Sequence, residues 1–409
     1  MSTLPPNVMD DPELQPDSEA ALDALDTAPV LSSELMEAVA EPLRVTFRAA
    51  SCHFAGRGAA ALLALLQAIH DPGGEVILPT LVCPSVPIAC KLAGLVPVYA
   101  DARLSDYTMD PAHVATLVTS RTVAIIAVHL YGHPCQLDQL RDIADVHGLL
   151  LIEDCAQSLG QFWNSQFVGT IGDAAILSFH PSKILPAAGG GAVLLSPRAA
   201  SLAGKIGNLI AAYPEDSAVE PDEQRELARR GNAILNTARL DPTVAIRYRA
   251  LSGPLAQGIP SQVSGIQLQG IRREWDTLDR VIPQRELRAR RYRALLTDPL
   301  LIHPSLEGET QPLFRYTLRP DLEGEAAVLC AWHLTEALRY YGFHASNLYY
   351  PVHALLGDTA EVPVADSIAR SLVNLWLDPS ATAQSILEVR RVFGHVSRRT
   401  NYLAPPVGD

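Results

Sequence analysis

The chain has 409 residues, 48% of them apolar and 19% charged, with 26 Gly and 31 Pro spread along it. That composition fits a globular protein of more than one folding unit and excludes a collagen-like, mostly disordered or disulfide-stapled miniature scaffold. Ten acids against one base in residues 1–44 carry −9 of the formal −13, so the remainder is nearly neutral and has no basic cluster to track a nucleic-acid backbone.

Residues 1–44 read as an acidic N-terminal extension, without the basic start and apolar centre of a secretory signal, and its Pro- and acid-rich first 40 residues as loosely ordered or packed on a neighbour. No apolar run reaches the roughly 18 residues of a membrane span, because Arg57 interrupts 55–69 and His129 ends 123–128. A cytoplasmic protein is expected, with six reduced cysteines, no CxxC pair and no metal site. From residue 45 two periodicities alternate. RGAAALLALLQAI (57–69) is helical, EVILP (75–79) strand-like, SVPIACKLAG (85–94) helical and VPVYAD (96–101) strand-like. A short helix near 111–118, the apolar run TVAIIAVHL (122–130), the helix CQLDQLRDIADVHG (135–148) and LLLIED (149–154) follow. Short apolar β-rich runs between amphipathic helices are the pattern of a parallel sheet covered on both faces. The prediction is a large α/β domain over 45–255 and a smaller α+β domain over 256–409.

Two further runs, DAAILSF (173–179) and GAVLL (191–195), flank HPSKILPAAGG. The polar stretch 213–245 reads as a surface excursion, and one long helical pattern runs from about 262 to 296. Trp163, Trp275, Trp332 and Trp376 read as core, and the Glu/Arg-rich helix 272–294 as a solvated or subunit-facing surface.

In open α/β sheets ligands bind beyond the carboxyl ends of the strands, which gathers Pro79–Ser85, His129–Pro134 and Asp154–Gln157 at one rim. Lys183 is the one lysine in 150–200, in a loop bounded by Pro and Gly and far from other charges. Read alone it is a surface lysine, or a desolvated amine with a lowered pKa that serves as a nucleophile. Asp154 ends a buried strand and either caps the next helix or holds a cationic ligand atom such as a protonated pyridine nitrogen. Gln157 lies one turn on. The small-residue turn at 56–60 opens a helix whose first N–H groups suit a phosphate. With Ser178 five residues before Lys183, these are the parts that a pyridoxal phosphate (PLP) site needs.

The runs EVILPTLVCPSVPIACKLAGLVPVYADA, RTVAIIAVHLYGHPCQLDQLRDIADVHGLLLIEDCAQSLG and VGTIGDAAILSFHPSKILPAAGGGAVLL resemble the DegT/StrS family of PLP-dependent sugar aminotransferases, a fold-type-I group. VSGIQLQGIRREWDTLDRVIPQR (263–285), NLYYPVH (347–353) and VNLWLDPSAT (373–382) extend the likeness from about 45 to 400. The resemblance implies that Lys183 binds the cofactor covalently and later moves the proton, that Asp154 pairs with the pyridine nitrogen, and that Gln157 lies near the 3-oxygen. It places Ser178, Gly58 and Ala59 at the phosphate and Cys83 where many members stack an aromatic ring, while His180, three residues before Lys183, is a candidate to pack on or near the cofactor. His129, Tyr131 and His353 are candidates to touch substrate, with His129 and His133 equally open to structural roles. Ala59 replaces a common hydroxyl, and Pro260 falls where a neighbouring subunit often supplies an Asn. The activity implied is transfer of an amino group from an amino acid, glutamate first, to a keto sugar that is often nucleotide-linked, by a homodimer in a biosynthetic pathway. Rivals are a PLP enzyme acting on a non-sugar ketone or cyclitol, and a catalytically silent regulatory homologue. Sugar dehydration fits less well, since relatives that dehydrate place a histidine where Lys183 stands.

Overall fold

The computed structural model describes residues 31–215, 226–297 apart from 228, 232 and 236–242, 301–303, and 312–400 apart from 341, 348, 378, 380 and 381. It opens with helix α1 (Ser33–Phe47), which begins where the Ser32 hydroxyl accepts the Leu35 N–H and ends at Arg48 in the left-handed region. Its Val39, Ala40, Leu43 and Phe47 are buried in the core, so the expectation of a loose leader fails from Ser33 onward. Apolar side chains at helical spacing override the acidic composition here. Residues 1–30 lie outside the described part.

The large sheet is laid down by β1 (Ser51–Ala55), β2 (Glu75–Pro79), β3 (Val96–Ala100), β4 (Thr122–Val128), β5 (Leu150–Asp154), β8 (Ala174–Ser178) and β9 (Gly191–Leu195). Its order is β1-β9-β8-β5-β4-β2-β3. The five strands from β8 to β3 are parallel, while β9 runs antiparallel to both β8 and β1. Helices α2 (Gly58–Ala68), α3 (Ser85–Leu92) and α6 (Ala203–Ala211) share one core with one face of this sheet. The α1 helix, α4 (Pro111–Leu117) and α5 (Leu137–His147) share the other. Leu62, Leu63, Leu65 and Leu66 of α2 are all essentially inaccessible, as befits a helix that is apolar all round. A minute hairpin, β6 (Phe162–Trp163) and β7 (Gln166–Phe167), follows β5.

Val244 and Tyr248 of α7 (Val244–Gln257) and Ile234 lie in the large-sheet core, as does Tyr213, so parts of the supposed surface excursion are anchored. Most of its remaining residues lie outside the described part. The single long helix expected over 262–296 is two: α8 (Gly265–Trp275), closed at Asp276, and α9 (Leu278–Leu295), with the Thr277 hydroxyl donating to the Glu274 carbonyl at the break. Leu268 and Ile271 of α8 belong to the large-sheet core, whereas Ala289 and Tyr292 of α9 belong to the next one.

That second core is built on a four-stranded antiparallel sheet, β10-β11-β13-β12, from β10 (Leu301–Ile302), β11 (Arg315–Pro320), β12 (Ala345–Ser346) and β13 (Val373–Trp376). Helices α10 (Gly324–Tyr340) and α13 (Ala383–Thr400) cover it. Between them α11 (Val352–Leu356) and α12 (Pro363–Ser371) return to the large sheet, burying Val352 and Leu355 in its core. Where the two sheets meet, Gly132 (φ 94°) passes so close to β11 that a Cβ there would stand 2.7 Å from the Phe314 nitrogen.

Candidate active site

Three strand ends and one helix start converge at the carboxyl rim. Asp154 closes β5 between Val128 and Ile176 of the neighbouring strands. One of its oxygens, Oδ1, accepts the Ala156 N–H at 3.0 Å. Burial pushes its pKa up, against the pull of that N–H and the charges of Lys183 and His129. Lys183 lies in the turn after β8, its N–H donated to the His180 carbonyl at 2.8 Å. Its ammonium sits 5.2 Å from the centre of the Phe314 ring. Desolvation lowers its pKa; Cys83 and Asp154 oppose that shift and Arg315 adds to it. The structure therefore brings Lys183, Asp154 and Cys83 within electrostatic reach of one another.

The helix start lies beside them. Arg57 caps α2 without a side-chain bond, so the first turn is not closed by a side chain. A Cβ on Gly58 would meet Ser178 Cβ at 3.0 Å and the Leu177 carbonyl at 3.1 Å, and one on Gly191 would stand 2.2 Å from the Gly58 nitrogen. Gly58, Ser178 and Gly191 thus pack closely on one another at the N-terminus of α2, with Ala59 in the same turn. Pro260 precedes Ser261, whose carbonyl accepts the Gly56 N–H at 2.9 Å, so that segment reaches the turn before α2 from within the chain.

Gln157 bridges two elements: its Oε1 accepts the Tyr131 N–H at 2.8 Å and its Nε2 donates to the Tyr349 hydroxyl at 2.9 Å. Cys83 is half-buried and takes a hydrogen bond from Ser85 at 3.1 Å. His180 shapes the Lys183 loop, its Nδ1 accepting the Ser182 N–H at 3.2 Å. Part of its ring meets solvent, yet the crowded loop desolvates it, and with the cations of Lys183 and Arg57 pushes its pKa down to about 4.

The proposed substrate contacts fare differently. His129 is fully buried, its Nδ1 accepting the Cys135 N–H at 3.1 Å, which fixes the proton on Nε2 to be donated to Glu153 at 3.3 Å. Tyr131 is 1% exposed, with φ 58° and its hydroxyl accepting the Tyr349 N–H at 2.9 Å. Both hold the rim from behind and neither is open to a ligand. His353 bonds Thr80 at 2.7 Å and lies against the Tyr99 ring, below the mouth of β2 rather than beside Lys183. Among the described residues one group has the composition of a metal site: His129, Glu153 and Cys155. Its lone pairs are spent, because Glu153 accepts the N–H groups of Gly169, Ile171 and Gly172, and burial keeps the Cys155 thiol protonated.

Residues that sequence reasoning missed are Tyr349, Phe314 and Arg315. The Arg315 guanidinium stacks 4.2 Å from the centre of Phe314 and 3.8 Å from that of Trp376, which therefore caps this arginine instead of filling a core. Among the described residues no helix is long and apolar enough to cross a membrane.

The mostly parallel sheet between helices, with a small antiparallel second sheet, is the fold-type-I α/β architecture, and it carries a half-buried lysine and a buried strand-end aspartate at its carboxyl rim. Residues 17–206 match the model of the DegT/DnrJ/EryC1/StrS aminotransferase family. The chain is 46% identical over 147 residues to the erythromycin biosynthesis sensory transduction protein EryC1 of Saccharopolyspora erythraea, covering 36% of this chain and 40% of that protein. It is 42% identical over 140 residues to a UDP-N-acetyl-3-dehydro-alpha-D-glucosamine 3-aminotransferase of Acidithiobacillus ferrooxidans, 34% of this chain and 38% of that one. The match thus spans about two fifths of the length of these curated relatives. The fold likeness reaches further: the solved structure of DesI in the presence of its TDP-sugar product is similar over 96% of this chain and 92% of that chain, at 25% identity and a TM-score of 0.72.

Proposed function

We propose that the chain is a PLP-dependent aminotransferase that moves an amino group from an amino acid, glutamate first, to a keto sugar, often nucleotide-linked, in a biosynthetic pathway. The observation that carries this reading is the desolvated Lys183 amine set against the buried Asp154 carboxylate. The residues present fit the cofactor. At the N-terminus of α2, which favours a phosphate, Gly58 and Gly191 keep the turn free of side chains, with Ser178 packed against it. When bound, PLP supplies the electron sink that lets a Cα–H bond break.

The chain's own residues do the rest. Lys183, with its ammonium disfavoured, presents a neutral amine that would hold the cofactor through its aldehyde and would take and return a proton at Nζ. Asp154, buried, favours a cation beside it and so would keep a ring nitrogen protonated. Gln157, tied to Tyr131 and Tyr349, has one amide hydrogen left for a ring oxygen. Phe314, closing over Lys183 from the second sheet, keeps water from the amine. Cys83 and Ala59 leave the acceptor side roomier and less polar than a stacked ring and a hydroxyl would. Homodimerisation and a cytoplasmic location are proposed with it, on the family resemblance.

The name of the EryC1 relative, a sensory transduction protein, keeps the silent-regulator reading in view. One titration separates the two: PLP-loaded protein mixed with glutamate and other amino acids loses its visible cofactor band if it transaminates. A band that survives every donor overturns the proposed activity while leaving cofactor binding standing.

A further inference from the structure

Three residues at the rim close a ring of hydrogen bonds that joins the two sheets. The Tyr131 N–H donates to Gln157 Oε1 at 2.8 Å, Gln157 Nε2 donates to the Tyr349 hydroxyl at 2.9 Å, and the Tyr349 N–H donates to the Tyr131 hydroxyl at 2.9 Å. Tyr131 follows β4 and Gln157 follows β5, whereas Tyr349 follows β12 of the small sheet. The two tyrosine rings pack on one another, 5.9 Å between centres. Tyr131 sits at φ 58°, and its surroundings hold it there: its N–H, its hydroxyl and its carbonyl are all engaged, the last by the Phe314 N–H at 2.8 Å.

Tyr349 comes from a segment pinned on both sides. Before it, Ser346 pairs with Asn374 of β13, and the Asn347 side chain donates to the Leu372 carbonyl at 2.8 Å. After it, the Val352 N–H donates at 2.9 Å to the carbonyl of Thr80, just beyond β2. The phenol stays neutral, because burial raises its pKa well above the ordinary phenol range, with Cys83, Tyr131 and Asp154 adding to the rise and Arg315 opposing it. A neutral hydroxyl brings no charge to the site, so what it gives Gln157 is direction. The Gln157 amide, 5% exposed, is fixed at both ends: Oε1 takes the Tyr131 N–H, and one of the two Nε2 hydrogens goes to the phenol. The direction of the second Nε2 hydrogen is thereby set.

We propose that Tyr349 is a positioning residue, which sets the Gln157 amide so that its second hydrogen reaches a ring oxygen of the cofactor. The inference rests on the PLP reading of the site. It makes the electronics of the cofactor depend on how the small sheet docks on the large one, since the phenol belongs to one and the amide to the other. Without the phenol, Tyr131 still anchors Oε1, but the Nε2 end is free to swing. A ring oxygen that loses a well-aimed donor keeps more negative charge and holds a nearby proton more tightly, so the protonation midpoint of the visible cofactor band moves to higher pH.

The test is an absorbance titration of the PLP-loaded full chain, with no amino acid present, from about pH 5 to pH 11. Tyr349→Phe keeps the ring against Tyr131 and the N–H to its hydroxyl, and is expected to raise the midpoint by about 0.5–1 pH unit. In a Gln157→Leu background the same change is expected to move the midpoint no further, because the amide through which the phenol acts is gone. An equal shift in both backgrounds overturns the assignment, since the phenol would then act on the cofactor directly. A chain that takes up no PLP overturns it together with the cofactor reading, whereas a chain that binds PLP and has the same midpoint with and without the Tyr349 hydroxyl overturns it alone. Should Gln157→Leu fail to fold, Tyr349→Phe decides: an unmoved midpoint overturns the proposal.

Discussion

Lys183 is one of three lysines in the chain, and the other two are engaged elsewhere: Lys91 pairs with Asp358 at 2.7 Å, and Lys205 donates to the Ala68 carbonyl at 2.8 Å. Its neighbours set its pH behaviour. Because burial lowers its pKa, the neutral amine accumulates, and PLP capture is expected to rise with pH and level off below the roughly 10.4 of a free lysine. Asp154 opposes that lowering, so Asp154→Asn is expected to move the profile to lower pH; stopped-flow absorbance across pH 6–11 checks both, and a profile still climbing at about 10.4 contradicts the desolvated site. Asp154 has the opposite linkage to stability. Its folded pKa is raised, so the cofactor-free chain holds that proton longer than the unfolded chain does, and stability falls as pH rises through this window. Urea unfolding at pH 4 and pH 7 is expected to find Asp154→Asn gaining on the unmodified chain at the higher pH, while its transaminase turnover falls by about 10²–10⁴. An equal gap at both pH values contradicts a raised Asp154.

At the scale of elements, the close approach of β9 to the start of α2 depends on the absence of side chains. Gly191→Ala would set a Cβ 2.2 Å from the Gly58 nitrogen, where only backbone movement makes room. A loss of about 1–3 kcal/mol is expected in denaturant unfolding, with weaker PLP binding; an unchanged PLP affinity would place the phosphate elsewhere. The α1 helix gives the complementary test. Leu43 is fully buried in it, so Leu43→Ala is expected to cost about 2–5 kcal/mol and Glu34→Gln under about 0.5. Equal small effects would mean that α1 is only loosely attached. These elements also mark what the sequence made legible. The order of strand ends in 150–195 brought Asp154, Gln157, Ser178 and Lys183 to one rim, because in a parallel sheet chain order and rim position go together. Strand β1, five residues between two helices, was too short for its alternation to be read. His129 stood at a strand end with two roles open, and only its burial against Glu153 decides between them. Phe314, Arg315 and Tyr349 carry no local pattern, since their approach to Lys183 is set by how β11 docks on Gly132, more than 120 residues away in the chain.

Over the whole molecule, the large sheet supplies a rigid rim and the small sheet supplies its cover. The Phe314 N–H donates to the Tyr131 carbonyl at 2.8 Å, while Arg285 of α9 holds the Leu313 and Phe314 carbonyls at 3.1 Å and 2.7 Å. The lid over Lys183 is thus hydrogen-bonded to the body on both sides, which suits a site that works by excluding water. The most direct test exploits the scarcity of lysine: the protein is loaded with PLP, reduced with borohydride, digested and mapped by mass. The account predicts the cofactor on the peptide bearing Lys183, with Lys183→Ala folded but unlabelled. Label on Lys91 or Lys205, or none on a folded chain at saturating PLP, would contradict it.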